Sequence, residues 1–390
     1  MTRLGTASAD ITPPVGVELA GYGRGVPSEG VRDRLAATSF FVTDGERAVS
    51  LTAVELAGLD VAMAAAVRDA VAAPLGIDRA AVMLLATHTH SGPFFVPVDQ
   101  LTEGYLRRLP DVLVDVAVRA AREPVPCRVT SSAARVAIGR NRREPDGAVD
   151  DRLGVLRFDG ERPLGVLAVA TAHANVLTSN VVSGDFPGAA RRRLEAELGC
   201  PALIAIGGAG DVDPLWRGGD AALDRLAGEI AGAALGSPVR GGPARVSAAS
   251  LSIDADLAEV GDPQRLAVEV ERERGRDPGP WLALIGSDTR STIPIEVAAV
   301  RIGDFVLGGV PLEVFSATAL AAAGTDTQFL CGCANGYLGY LPTAEAFERG
   351  GYEVHWSPVV YGPATGLIRP LAPETAARVA ETFARLAPAL

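Results

Sequence analysis

Lysine is missing from this 390-residue chain, so all 36 basic side chains are arginine. That absence excludes any mechanism built on a lysine Schiff base or a carbamylated lysine. Cysteine is scarce too, with four residues, Cys127, Cys200, Cys331 and Cys333, unevenly spaced. They do not form a disulfide framework, and Cys331-Gly332-Cys333 has no second cysteine pair with which to complete a zinc site. These thiols read as reduced, in a cytoplasmic protein. The amino terminus lacks the apolar stretch of a signal peptide, and no window reaches the length of a membrane-spanning helix. Positive charge is in deficit: the net charge of -11 argues against a nucleic-acid partner and against an anionic membrane surface. No low-complexity linker divides the sequence, so residues 1–390 are expected to form one domain. A 48% hydrophobic composition is enough for a large core.

Histidine is rarer than its chemistry would suggest: there are four, and two sit together in Ala81–Phe94, AVMLLATHTHSGPF. The apolar run Ala81–Ala86 has the length of one buried strand. It ends in Thr87-His88-Thr89-His90, before Ser91-Gly92-Pro93 forces a turn. On an extended segment residues i and i+2 share a side, so His88 and His90 should project together from a strand end. α/β proteins gather ligands outside the carboxyl ends of their strands. The pair therefore reads as a metal or catalytic site, or as two hydrogen-bonded loop histidines.

Further strands are expected at Thr38–Val42, Val49–Val54, Ala202–Ile206, and as a pair at Glu296–Ile302 and Asp304–Val310 around Gly303. Helical spacing marks Val61–Ala73, Tyr105–Arg122, Ala189–Leu198 and Pro373–Leu386. The stretch Gly236–Arg290 reads as β-rich surface structure. Leu164–Ala172 is a strand-like run ending at His173. In Ser183-Gly184-Asp185-Phe186-Pro187, Asp185 reads as an N-cap with Pro187 in the first turn. The glycines of Gly207-Gly208-Ala209-Gly210-Asp211-Val212-Asp213-Pro214 permit close approach of backbone to a ligand, but no Gly-Lys-Ser/Thr makes a phosphate loop. Glu313 directly follows a buried strand, where it is either a metal ligand or a solvated acid. The sum is an α/β fold with a mixed β-sheet core and flanking helices.

His88 with His90, His173 and Glu313 come from separate strand ends, the way catalytic zinc sites are assembled with positions left open for water or substrate. HExxH is absent, which excludes the usual zinc-peptidase layout. A binuclear barrel amidohydrolase would need further histidines, an aspartate and usually a bridging lysine or glutamate, and this chain has no lysine and only His355 left over.

On these residues the sequence resembles the catalytic domain of the neutral, non-lysosomal ceramidase family. The matching pieces, in order along most of the chain, are Ala9-Asp10-Ile11-Thr12, Gly21-Tyr22, Thr87 through Pro93, Asn141-Arg142, Ser183-Gly184-Asp185, Gly210-Asp211-Val212, Pro311-x-Glu313, and Tyr337-x-x-Tyr340 with Tyr352-Glu353. The resemblance implies a zinc ion held by His88, His173, Glu313 and Tyr340, with His90, Arg142 and Tyr352 as active-site groups. It implies hydrolysis of a linear N-acyl amide bond by a metal-activated water. Two departures stand out. Asp213 replaces the serine implicated in ceramide cleavage, and Leu312 replaces a glycine beside the glutamate ligand. The family's secretion signal and carboxy-terminal β-sandwich are also not expected. These departures point to a small soluble acyl amide rather than ceramide, with Asp213 as an added base or substrate contact. An acyl transferase or cyclase on the same site, and a non-catalytic metal-binding relative, are the alternatives. A homo-oligomer is compatible with the sequence.

Overall fold

Short apolar runs cut by glycine, proline or charged turns set the strands. The computed structural model describes residues 1–21, 26–237 and 241–390, so Tyr22 and Gly23 of the early motif lie outside the described residues. Val82–Ala86 is buried at every position, as a parallel strand covered on both faces must be. It pairs in parallel with Ala48–Val54. The crossover helix Val61–Leu75 is capped by Asp60, whose carboxylate accepts from the Met63 amide, and ends on Gly76 in the left-handed region.

The same plan occurs three times. Each sheet has a long first strand, an antiparallel hairpin, a crossover helix and a fourth strand parallel to the third, in the spatial order fourth-third-second-first. In the first sheet these strands are Arg3–Asp10, Ala36–Thr43, Ala48–Val54 and Val82–Ala86. In the second they are Arg128–Arg135, Arg152–Asp159, Pro163–Ala170 and Ala202–Ile206, with helix Asp185–Leu198 crossing over. In the third they are Val246–Asp256, Thr292–Ile302, Phe305–Gly309 and Gln328–Cys331, with helix Ser316–Ala322 crossing over.

The three sheets face one another across a shared core to which Leu51 and Met83, Leu156 and Leu167, and Val300 and Leu307 contribute from the respective sheets. Their outer faces are covered by helices: Val61–Leu75 and Gln100–Ala120 on the first, Asp185–Leu198 and Asp220–Gly236 on the second, Ser316–Ala322 and Thr375–Ala389 on the third. One continuous core with helices outside makes a single mixed α/β body, the fold class expected. Among the described residues no helix is long and apolar enough to cross a membrane.

Three local expectations need correction. Gly236–Arg290 is not β-rich: it holds one long strand, Val246–Asp256, then helices Pro263–Arg274 and Gly279–Ile285. The first of these helices buries little beyond Ala267 and Val270, so its apolar period is too sparse to register. The segment after Ala86 is not extended, since His88 takes φ 60°. Asp185 is not the N-cap of its helix; Gly184 is, without a side-chain bond, and Asp185 opens the helix.

Asp185 has a different role. Fully buried, its carboxylate accepts the amides of Val176, Leu177 and Phe186 and so holds the loop that follows His173. Burial outweighs those bonds and pushes its pKa up to about 6 from 3.8. A carboxyl raised on folding favours the folded state while protonated. Its contribution is complete below 3.8 and is lost as the pH rises through about 6, a change of about 3 kcal/mol. Asp185→Asn should therefore flatten the fall in melting temperature between pH 4 and 6. A slope retained in the variant would assign that fall to another group.

Candidate metal centre and active site

The carboxyl ends of the parallel pairs from all three sheets meet at one place. His88 and His90 follow the fourth strand of the first sheet, His173 follows the third strand of the second, and Glu313 follows the third strand of the third. Glu313–Val314 pairs in parallel with Tyr340–Leu341 in the register Glu313 to Tyr340, which sets those two side chains next to each other. Their spacing in sequence gives no hint of this.

His88 Nδ1 lies 2.7 Å from the Ala57 carbonyl and His173 Nδ1 2.9 Å from the Ala209 carbonyl. A carbonyl only accepts, so each Nδ1 carries the proton and each Nε2 offers a bare lone pair. Those two Nε2 atoms are 3.2 Å apart, and Glu313 Oε2 lies 3.3 Å from the first and 3.2 Å from the second. Glu313 Oε2 is buried and accepts no hydrogen bond; its other oxygen accepts from Tyr337 Oη at 2.6 Å. Three acceptors converging without a donor repel one another unless a cation lies between them. His90 Nε2 is 3.3 Å from His88 Nε2, and the ligand atoms of His88, His90 and His173 all lie within 4.8 Å of one another. The residues present fit a transition metal, and nitrogen and carboxylate donors of this kind suit zinc.

The titration behaviour has the same cause. Burial depresses the His88 imidazole, but Glu313 and Cys333 beside it carry it well above the ordinary range. Burial, together with Arg142, drives His173 well below it. Glu313 thus draws positive charge to this spot: without a cation a proton on His88 Nε2 would supply it, and a metal would displace that proton and meet both lone pairs. Burial raises the phenols of Tyr337, Tyr340 and Tyr352; a nearby metal would reverse that direction for Tyr340.

Strain and close approach mark the surroundings. Among the described residues, His88, Cys333 and Asn335 are three of the four non-glycine residues with positive φ, and such backbone persists only where packing enforces it. Gly21 has φ +90°, and a Cβ there would sit 2.2 Å from His90 Cγ, so only glycine lets this backbone rest on the imidazole. The glycine-rich turn works differently from expectation. Gly208 and Gly210 make room for Phe315, Ser316 and the Glu313 backbone, not for a ligand.

Of the three neighbouring arginines, Arg142 is the one that reaches the centre. The strand Gly139–Asn141 pairs with Val212–Pro214, and Arg142 Nη2 donates to Tyr340 Oη at 3.2 Å and to the Gly210 carbonyl at 2.8 Å. Its Nε donates to Glu353 at 2.9 Å, and Arg143 pairs with the other oxygen of that carboxylate. Asp213 is occupied by arginines: Arg217 Nη1 donates to it at 3.0 Å, and Arg142 Nη1 lies 3.7 Å away. It does not line the cavity over the cluster. That cavity, about 30 Å³, is walled by His90, Phe94, Phe95, Tyr352 and Tyr361 among others, and it holds about one water. Tyr352 is hydrogen-bonded to Tyr361, whose hydroxyl donates to the Gly21 carbonyl at 2.6 Å.

Sequence reasoning missed Tyr361, the glutamate-orienting role of Tyr337, and Glu353 as the anchor of two arginines. Tyr337 and Glu353 stood inside quoted motifs; nothing in the sequence marked Tyr361.

Fold and cluster together define an α/β protein with a histidine and carboxylate cluster that could hold a metal ion, at the meeting point of three sheets. No protein-family model and no curated protein matches the sequence. Solved structures do match. The neutral ceramidase from Pseudomonas aeruginosa superposes with a TM-score of 0.77 at 21% identity, covering 100% of this chain and 74% of that one. A ceramidase complexed with C2 gives a TM-score of 0.77 at 20% identity, covering 100% and 75%. The chain has the neutral-ceramidase fold.

Proposed function

We propose that the protein is a zinc-dependent amidohydrolase cleaving the N-acyl bond of a small soluble amide. The convergence of the unprotonated Nε2 atoms of His88 and His173 on the donorless Oε2 of Glu313 carries this reading. Tyr340 would complete the ligand set. Bound there, zinc supplies Lewis acidity toward the scissile carbonyl and a water whose pKa lies near 7. The chain's own groups then have distinct tasks. His90 and Tyr352 line the cavity, where they would donate to the developing oxyanion or to the leaving nitrogen. Arg142 holds the Tyr340 oxygen by a direct bond. Asp213, engaged by Arg217 and beside Arg142, acts as a positioning residue rather than as the base. All four cysteines are free and buried, which supports a reduced, cytoplasmic setting.

The test is amine release from a panel of soluble N-acyl amines and N-acyl amino acids, beside short- and long-chain ceramides in detergent, with zinc and with a chelator. Zinc-dependent cleavage of soluble amides is expected. Efficient cleavage of ceramide would overturn the substrate assignment, and turnover unaffected by the chelator would overturn the metal.

A further inference from the structure

The side of the cavity formed by Tyr352 carries a cation that the reaction just described does not use. Helix Pro263–Arg274 ends at Gly275 in the left-handed region. The Arg274 guanidinium lies 4.0 Å from the centroid of the Tyr352 ring and 5.8 Å from that of Trp356. Tyr352 in turn meets Tyr340 edge to face at 5.8 Å. Arg274 is thus one aromatic ring away from the group beside the metal cluster.

Other cations near the site are neutralised. Arg142 and Arg143 share the Glu353 carboxylate, and Arg217 is paired with Asp213. Arg274 makes no ion pair among the described residues, and the acid on its own helix that reaches this region, Glu269, accepts from Trp356 Nε1 at 3.0 Å. On the neighbouring phenol, burial raises Tyr361, while the bond from Tyr352 and then the charge of Arg276 act against it. In a chain of net charge -11, the Arg274 guanidinium over the Tyr352 ring puts positive charge next to an aromatic surface.

Resting on the amidohydrolase reading above, we propose that the substrate carries a carboxylate on the amine side of its amide, as an N-acyl amino acid does, and that Arg274 is the residue that recognises it. The guanidinium rests 4.0 Å from the centroid of the Tyr352 ring, and its planar fork of donors matches a carboxylate in two parallel bonds. The scissile carbonyl sits at the cluster, the acyl group goes to the Phe94 and Phe95 side, and the carboxylate lies beyond Tyr352. A neutral amine product gives this wall nothing to bind.

The experiment compares N-hexanoylglycine with its uncharged amide, N-hexanoylglycinamide, on the zinc-loaded full chain. The wild type should favour the anion in kcat/KM, mainly through KM, and Arg274→Gln should shrink that preference by about tenfold to a hundredfold, the worth of a charge-assisted bond pair. Arg274→Lys, which keeps the charge but loses the fork, should restore part of it. A wild-type ratio near one, or a ratio unmoved by Arg274→Gln, overturns the subsite while leaving the hydrolase reading intact. Cleavage of neither compound counts against the hydrolase reading, and binding then decides the subsite. N-hexanoylglycine should change the fluorescence of Trp356, tested against Trp356→Phe, at a concentration that Arg274→Gln raises at least tenfold. A wild type that gives no such signal overturns the proposal.

Discussion

Protein purified without added metal should carry close to one transition-metal ion per chain, and the His88→Ala/His173→Ala variant should carry none. The expectation rests on the unprotonated Nε2 atoms fixed by the Ala57 and Ala209 carbonyls and on the donorless oxygen of Glu313. Each imidazole also bonds a backbone carbonyl, of Ala57 or Ala209, so circular dichroism of the double variant checks that the fold is kept. Loss of Lewis acidity is worth several kcal/mol of transition-state stabilisation, so turnover in the variant and in chelated wild type should fall by about 10³-fold or more. Metal analysis of both proteins decides the matter. Wild type without a transition metal, or a double variant that retains a full complement, would remove the centre from the account.

The second large effect is expected at Arg142. Arg142→Met deletes the donor on Tyr340 Oη and the tie to the Gly210 carbonyl, while Arg143 still compensates Glu353. The fold should survive. A preorganised donor beside a reacting centre is worth about 10² to 10³ in kcat, and that is the loss to expect at unchanged metal content. Asp213→Asn provides the contrast. An amide oxygen can still accept from Arg217, so a positioning role predicts a loss below about tenfold, whereas a general base would cost about 10² to 10⁴. The two kcat values, measured on metal-matched samples, separate those roles, and a large loss at Asp213 would make it the base.

Much of the strand content was legible because buried strands announce themselves as short apolar runs. The hairpin around Gly303, the strand before His88 and the strand Ala202–Ile206 all lie where the sequence placed them. The sparse histidines also directed attention to strand ends that the structure brings together, since in a chain with four of them any cluster is conspicuous. What stayed hidden depends on tertiary geometry. The side-by-side placement of Glu313 and Tyr340 comes from a two-residue strand pair. His88 and His90 converge through a left-handed residue, not through the two-residue alternation of an extended segment. Arg274 closes a helix that buries only Ala267 and Val270, and Tyr361 stands on another, Ser357–Thr365; sequence periodicity registers only the faces that packing makes hydrophobic. The threefold plan escaped notice because loops of very different length separate equivalent strands.

That plan has a consequence for how the molecule comes apart. Each of the three units contributes at least one donor to the centre, and His88 and His173 alone are 85 residues apart in the chain. An ion held there is a cross-link spanning the whole polypeptide, closing long loops much as a set of disulfides would, but reversibly. No unit can open without releasing it. At a free metal concentration a thousand times the dissociation constant, the ion adds about 4 kcal/mol to the cost of unfolding, a sum shared by three units that would otherwise fray separately. Metal supply would then govern the lifetime of the chain as well as its chemistry.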